Sequence, residues 1–387
     1  MVHDYTEDQK MLKQSITKFC EKEFNKEFVR WMDENCNWIP EDIWKKLADM
    51  GIFGLTVSEK NGGSGLSVTE FAIVMEEIGK ASAGAAIAVF TQVGFGAKFF
   101  EGMGNEEQQK FHLPKIISGE KTYCMALTEP RGGTDILNAL RSTAIKKGDK
   151  FILNGQKVFI SGGHIADYMI VVCITDPQAK KRTEAISVFV VDAKSPGITT
   201  RLIPKVSMHA CGTAEIFFED VVIPAENLVG ELHNGWGKLT EVLNSERISV
   251  AAISLGIAKA AYELAYEYSL QREAFGRQIG GFQILQHYMV DMMIGIENTE
   301  NIIRKCCWLH DHGLPYNIEA AMAKIISGKA SEFAAIQAME ILGGYGVCME
   351  YDAQRYFRDY KQAMFSPISE EMAYNMIARW SGLPKSF

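Results

Sequence analysis

Apolar residues recur at every third or fourth position from about Thr6 to about Ser118, as at Ile16 and Phe19, which is the period of helices buried along one face. A Pro40 start to the stretch EDIW fits a helix opening with proline near its first turn. The run NGGSGLS (61–67) reads as a plain connector into a further helix over 68–79. At about Thr122 the texture changes. Short apolar or alternating runs at 151–153, 168–174, 185–191 and 215–218, separated by Gly, Pro, Asp and Asn, predict strands up to about Gly230. Helical periodicity returns from about Trp236, with alanine-rich stretches at 251–265 and 319–342 that need close packing on several sides. The chain is therefore expected to be α+β and multidomain: an N-terminal helical domain over 1–121, a middle β domain over 122–230 and a C-terminal helical bundle over 231–387. Helices, then strands, then helices, with no βαβ alternation, argue against a doubly wound sheet.

Composition changes this picture little but narrows the partners. Of the 387 residues, 47% are hydrophobic and 23% charged, the balance of an ordinary globular protein, so disorder, collagen and coiled coil are excluded. The 40 Lys and Arg against 48 Asp and Glu give a formal charge of −8, with the basic residues scattered. No sustained positive field exists, so neither nucleic acid nor an anionic membrane is an expected partner. Apolar runs such as 248–258 fall short of the roughly 20 residues a spanning helix needs, so no membrane insertion is expected. The first residues carry mixed charge and run straight into a helical pattern, unlike a signal or transit peptide, which makes the cytoplasm the expected location. Eight cysteines from Cys20 to Cys348 show no framework spacing and are expected as free thiols. Cys306, Cys307, His310 and His312 lie close together, but no second cluster completes a metal site, and they are expected to be ordinary helix residues.

The common dinucleotide, nucleotide and zinc signatures are missing from the sequence: it has no GxGxxG after a strand, no GxxxxGK[ST], no HExxH and no CxxC. What it does carry is LTEPRGGTD (127–135), a run of hydroxyls and glycines able to offer backbone N–H groups to a polar cofactor edge. KVFISGG (157–163) follows, a strand ending in an aromatic, a hydroxyl and two glycines. Three more stretches complete the set: FFEDVVIP (217–224), REAFGRQI (272–279) with Phe282 and Gln283 after it, and ILGGYG (341–346) followed by Arg358 and Asp359.

In this order and spacing the motifs closely resemble the acyl-CoA dehydrogenase family over essentially the whole chain. The resemblance implies a helical N-terminal domain, a middle β-barrel and a C-terminal four-helix bundle, assembled as a homotetramer around FAD. It implies flavin and substrate contacts at Leu127, Thr128 and Thr134. Phe159, in place of a more usual tryptophan, and Ser161 match positions beside the isoalloxazine ring. Arg272, Phe275 and Gln283 match a cross-subunit grip on the pyrophosphate and adenine side. Gly343, Gly344 and Gly346 match a glycine turn against the same cofactor, with Ser369 and Glu371 as further cofactor contacts. Glu340 stands where the family commonly has glutamine. Arg131 replaces a usual glycine and, with Thr134 and Arg247, is a candidate substrate contact. Residues 81–96, which resemble the far end of the acyl pocket, contain no charge and so argue against a dicarboxylic acyl group.

The family's chemistry takes an α proton from an acyl-CoA thioester while the β hydrogen leaves as hydride to flavin N5. Counting from Arg358 and Asp359 puts Pro367 where most members have the glutamate base. Members resembling isovaleryl-CoA dehydrogenases instead place it immediately before an arginine on the first helix of the bundle, which here is Glu246 in LNSERI (243–248). Ser249 and Val250 share its helical face, and an apolar wall would raise its pKa toward a base's working range. Glu370 and Glu371 are the fallback candidates. Pro367 also lacks the backbone N–H that relatives aim at the thioester carbonyl. Crotonobetainyl-CoA reductases resemble the chain in keeping only the helix glutamate. The expected function is thus FAD-dependent interconversion of an acyl-CoA and its 2,3-enoyl-CoA, with electrons passing to an electron-transferring flavoprotein. The alternatives are the reductive direction, or a nonredox CoA-ester lyase or flavin-binding homologue.

Overall fold

The computed structural model describes residues 4–384, apart from the side chains of 241–244; the outer limits expected at 1 and 387, and the side chains of Leu243 and Asn244, lie outside that description. Seven helices come first: α1 (Glu7–Glu23), α2 (Lys26–Asn35), α3 (Glu41–Asp49), α4 (Val68–Ala81), α5 (Ala83–Phe90), α6 (Lys98–Met103) and α7 (Glu106–Ile117). Their starts are written locally. Thr6 with Gln9, Ser67 with Glu70, and Asn105 with Gln108 form reciprocal capping boxes that satisfy the free amides of α1, α4 and α7. A single π-turn, Thr91–Ala97, joins α5 to α6.

The middle third holds β1 (Tyr123–Ala126), the one-turn α8 (Ile136–Ala139), β2 (Thr143–Lys147), β3 (Lys150–Ser161), β4 (Tyr168–Ile174), β5 (Ile186–Asp192), β6 (Ile198–Leu202), β7 (Thr213–Pro224) and β8 (Leu228–Val229). They make one eight-stranded sheet in the order β6-β7-β3-β2-β4-β5-β8, with β1 parallel to β4. Both faces of β4 are covered. Met169, Val171 and Cys173 join one apolar core with Phe151, Phe189 and Ile216, while Ile170, Val172 and Ile174 join another with Phe99, Phe100 and Leu113 of the N-terminal helices. Double burial is why 168–174 reads as an unbroken apolar run instead of alternating.

Helices resume with α9 (Gly235–Asn244) and α10 (Glu246–Gln271), then a small hairpin of β9 (Glu273–Ala274) and β10 (Arg277–Gln278), and α11 (Gln283–Asp311), α12 (Asn317–Leu342), α13 (Ala353–Phe365) and α14 (Glu370–Trp380). α10 packs on α12 and α11 and also on α4, so it belongs to both helical layers. Two glycines permit that crossing: a Cβ on Gly256 would stand 2.5 Å from the Glu76 carbonyl, and one on Gly79 would stand 2.9 Å from Ile253 Cα.

The helices here correct the expected shortness of the apolar runs. The stretch Ala83–Met103 and α10 are both long and apolar enough to cross a membrane, yet 83% and 78% of their apolar windows are buried against the rest of the fold. Their apolar surface serves a protein core. Cys306 and Cys307 are buried free thiols on α11, His312 Nδ1 meets the Trp308 carbonyl at 2.8 Å, and His310 sits beside Asp311.

Charged groups close the domains around the site. Asp33 on α2 accepts from Arg358 on α13 at 2.6 Å, and Arg30 bonds Asp352 at 3.0 Å. Arg358 also donates to the Val206 carbonyl at 2.7 Å, and Asp359 accepts the Met208 amide at 2.6 Å, which fixes the β6–β7 loop against the bundle.

Candidate active site

A cavity of about 520 Å³ lies where the three parts of the chain meet. Ile87, Phe90 and Phe95 give it apolar lining from the N-terminal helices. Leu127, Thr128 and Gly133 face it from the loop after β1, and Phe159 and Ser161 from the end of β3. The bundle supplies Glu246, Arg247 and Val250 from α10 and Ser366, Pro367 and Ile368 from the loop between α13 and α14.

The presentation of Phe159 follows from a break in strand register. Pairing of β3 with β7 shifts between Lys157 and Ile160, and Phe159 takes a φ of 59°. The bulge turns its ring out of the sheet while Val158 and Ile160 stay buried, leaving Phe159 67% exposed at the cavity. Glu246 is placed by another break. α9 ends at Asn244, Ser245 intervenes, and Glu246 is the first residue of α10. Lys98 on α6 donates to Ser245 Oγ at 2.7 Å, and burial lowers its own pKa to about 8 against the pull of Asp311 and Glu101. Glu246 is half-buried, with Val250 one turn on in the same wall. Burial pushes its carboxyl up to about 8, outweighing the adjacent Arg247 guanidinium. Ser249 is buried but does not line the cavity.

A second cleft, about 500 Å³, brings Arg272 together with Gly343 and Gly344. Gly343 ends α12 with φ 57° and ψ −128°, a conformation open to glycine, and a Cβ on either glycine would meet nothing within 4 Å. Gly346 differs from the expectation that grouped it with these. Its Cβ would stand 2.5 Å from the Met339 carbonyl, so it serves close packing of the turn. Phe275 tips the β9–β10 hairpin at φ 52° and is 95% exposed, and Gln283 opens α11, also exposed; neither lines the first cavity.

Other expected contacts are not brought to either cavity. Thr134 and Arg131 are exposed and line neither cavity. The Ser369 hydroxyl caps α14 by accepting the Met372 amide at 3.3 Å, and Glu371 is exposed in the first turn, where backbone amides and Ser369 lower its pKa. Glu370 pairs with Lys329 at 3.2 Å outside the cavity, and Glu340 is exposed near the end of α12. Trp236, Asn317, Gln362, Met376 and Trp380 do line the cavity. No local pattern marks them; long-range packing of α9, α12, α13 and α14 assembles them.

The arrangement offers one carboxyl with a raised pKa, the hydroxyls of Thr128, Ser161, Thr240 and Ser366, an aromatic face and apolar lining in one cavity, which is what proton abstraction beside a flat redox cofactor requires. Family models for the acyl-CoA dehydrogenase N-terminal, middle and C-terminal domains match residues 6–120, 124–221 and 233–382. The chain belongs to the acyl-CoA dehydrogenase family, FAD-dependent oxidoreductases acting on CH–CH bonds. It is 33% identical to a probable acyl-CoA dehydrogenase of Bacillus subtilis, covering 98% of this chain and 99% of the relative. Among solved structures, butyryl-CoA dehydrogenase from Megasphaera elsdenii superposes with a TM-score of 0.93 at 32% identity, over 98% of this chain and 100% of that one. A chain in the structure of the electron transferring flavoprotein of Acidaminococcus fermentans superposes with a TM-score of 0.94 at 35% identity, over 99% and 100%. FAD fits the residues present: Thr128, Phe159 and Ser161 give hydroxyls and a ring face at the first cavity, and the bare Gly343–Gly344 turn beside Arg272 leaves room for a phosphate-bearing group at the second.

Proposed function

We propose that this chain interconverts an acyl-CoA and its 2,3-enoyl-CoA, with Glu246 as the base that takes the α proton. Bound FAD supplies the hydride acceptor. The observation that carries the reading is Glu246 itself, a carboxyl in the cavity wall held near pH 8 and facing the same space as Thr128, Phe159, Ser161 and Pro367. A base with that pKa is matched to an operating pH near neutrality. Leu127, Thr128, Phe159 and Ser161 hold the flavin edge, Arg247 neighbours the base, and Ile87, Phe90 and Phe95 receive a short apolar acyl end and keep water from it. Arg272, Gly343 and Gly344 take the phosphate-bearing half of the cofactor.

The test is anaerobic stopped-flow flavin reduction with a panel of acyl-CoAs, comparing Glu246→Gln, Glu370→Gln and Glu371→Gln. Glu246→Gln should slow reduction by about 10²–10⁴-fold with FAD and acyl-CoA still bound. Wild-type bleaching by Glu246→Gln, or loss confined to a Glu370 or Glu371 variant, overturns the assignment. Pro367 favours a second reading. It lines the cavity where an N–H donor to the thioester is needed, and loss of one such donor costs about 2.7–4 kcal/mol. A nonredox CoA-ester-binding protein would then bind the panel without bleaching.

Assembly belongs to the same reading. The fully exposed Phe275, and the half-exposed Ile284, Val290, Met293 and Ile294 of α11, support burial against a second copy of the chain in a homotetramer. The match to a chain in an electron transferring flavoprotein structure supports such a flavoprotein as electron partner. Rapid stoichiometric peroxide formation in turnover would contradict it.

A further inference from the structure

Lys157 lies on β3 with no exposed surface and is not part of the cavity wall. Its ammonium donates to three acceptors: Glu129 Oε1 at 2.9 Å, the Leu127 carbonyl at 3.1 Å and the Val172 carbonyl of β4 at 2.6 Å. An ammonium has three N–H groups, so its capacity is filled. Glu129 is buried as well, and its two oxygens also accept the Arg141 amide at 2.6 Å and the Ser142 amide at 2.9 Å. The pair ties together the two strips that the middle third of the chain turns toward the cavity, the loop after β1 and the end of β3. Leu127 and Thr128 flank one end of it, and the bulge that presents Phe159 begins at Lys157. The Val158 amide to the Thr128 carbonyl, at 2.9 Å, closes the same link.

Burying two charges is costly, and apolar residues of similar volume often hold a core as well or better, so stability alone does not call for this pair. What its bonds add is direction. We propose that Glu129 and Lys157 are positioning residues for FAD: they aim the Leu127–Thr128 loop and the Phe159–Ser161 bulge at the flavin without touching it. This rests on the reading of Thr128, Phe159 and Ser161 as flavin contacts.

The test uses the FAD-loaded protein and Glu129→Gln, Lys157→Met, the double variant, and Thr128→Ala and Phe159→Ala as direct-contact variants. FAD release on dilution, the visible absorption bands of the bound flavin and Tm in excess FAD are read side by side. The double variant leaves no unpaired buried charge and should melt above Lys157→Met, short of wild type only by the bonds lost at the Leu127 and Val172 carbonyls, yet release FAD about 10–100-fold faster, the factor known from outer hydrogen bonds that orient the ligands of metal sites, with shifted flavin bands. Lys157→Met alone strands a buried carboxylate and should lose both Tm and FAD. Wild-type release and spectrum in the double variant overturn the proposal, as does FAD loss that merely follows Tm across the three pair variants. If Thr128→Ala and Phe159→Ala also change neither release nor spectrum, the contact reading fails and takes the proposal with it; if they do and the pair variants do not, the positioning claim alone fails.

Discussion

At Glu246, function and stability pull in opposite directions. Its folded pKa of about 8 stands above the ordinary value near 4.5, so the folded chain penalises the carboxylate. The penalty is absent below pH 4.5, grows between 4.5 and 8, and is fully present above 8. Glu246→Gln should therefore melt above wild type at pH 9, with the gap closing as pH falls toward 4.5, as followed by Tm across that range. The same shift sets the rate. Only the ionised carboxylate accepts a proton, so flavin reduction should climb about tenfold per pH unit between pH 6 and 7 and level off above about 8. A pH-independent rate over that window would remove Glu246 from the proton transfer. Glu246 was legible in the sequence through its place before Arg247. The lysine behind its cap, Lys98, was not, since nothing local connects α6 to Ser245.

Turns and caps decide which parts of the motifs reach the site. The ILGGYG turn splits by glycine. Gly346→Ala should lower Tm, by about 1–3 kcal/mol of overpacking against Met339, and leave FAD release from the surviving fold near wild type. Gly344→Ala meets open space and should keep Tm while speeding FAD release, because the new methyl enters the cleft beside Arg272. Equal effects of the two on both readouts would contradict the division. Strand cores were read correctly from apolar runs, but the runs at 151–153 and 215–218 sit inside strands of 12 residues each, Lys150–Ser161 and Thr213–Pro224. The bulges at Leu153/Gly155 and Lys157/Ile160 interrupt the alternation that a longer strand would show. Ser369 and Glu371 line neither cavity for a related reason: they follow Pro367 closely in sequence, but Ser369 is the N-cap of α14 and Glu371 lies in its first turn.

The whole molecule was legible as helix, strand and helix because each third has its own period. The cavity was only partly so, since its walls come from residues as far apart as Ile87 and Trp380. If the second cleft is completed by another copy, cofactor retention and assembly are coupled. Arg272→Ala, exposed and outside the cores, should then weaken FAD retention and the tetramer far more than it lowers Tm in excess FAD, checked by light scattering with flavin absorbance. A monomer retaining stoichiometric FAD would refute the coupling.

The Gly79–Gly256 crossing has a consequence for how the chain is made. α4 leaves the ribosome roughly 165 residues before α10, a delay of about 8–33 s at 5–20 residues per second. Until then Val74 and Ile78 have no α10 to cover them, while the sheet, once β8 is made, can close on one core of its own and on Phe99, Phe100 and Leu113 of the N-terminal helices. A free fragment of the chain ending near residue 235 should thus carry a protected middle domain and a chaperone-accessible α4, and the remaining 150 or so residues should be what hides it.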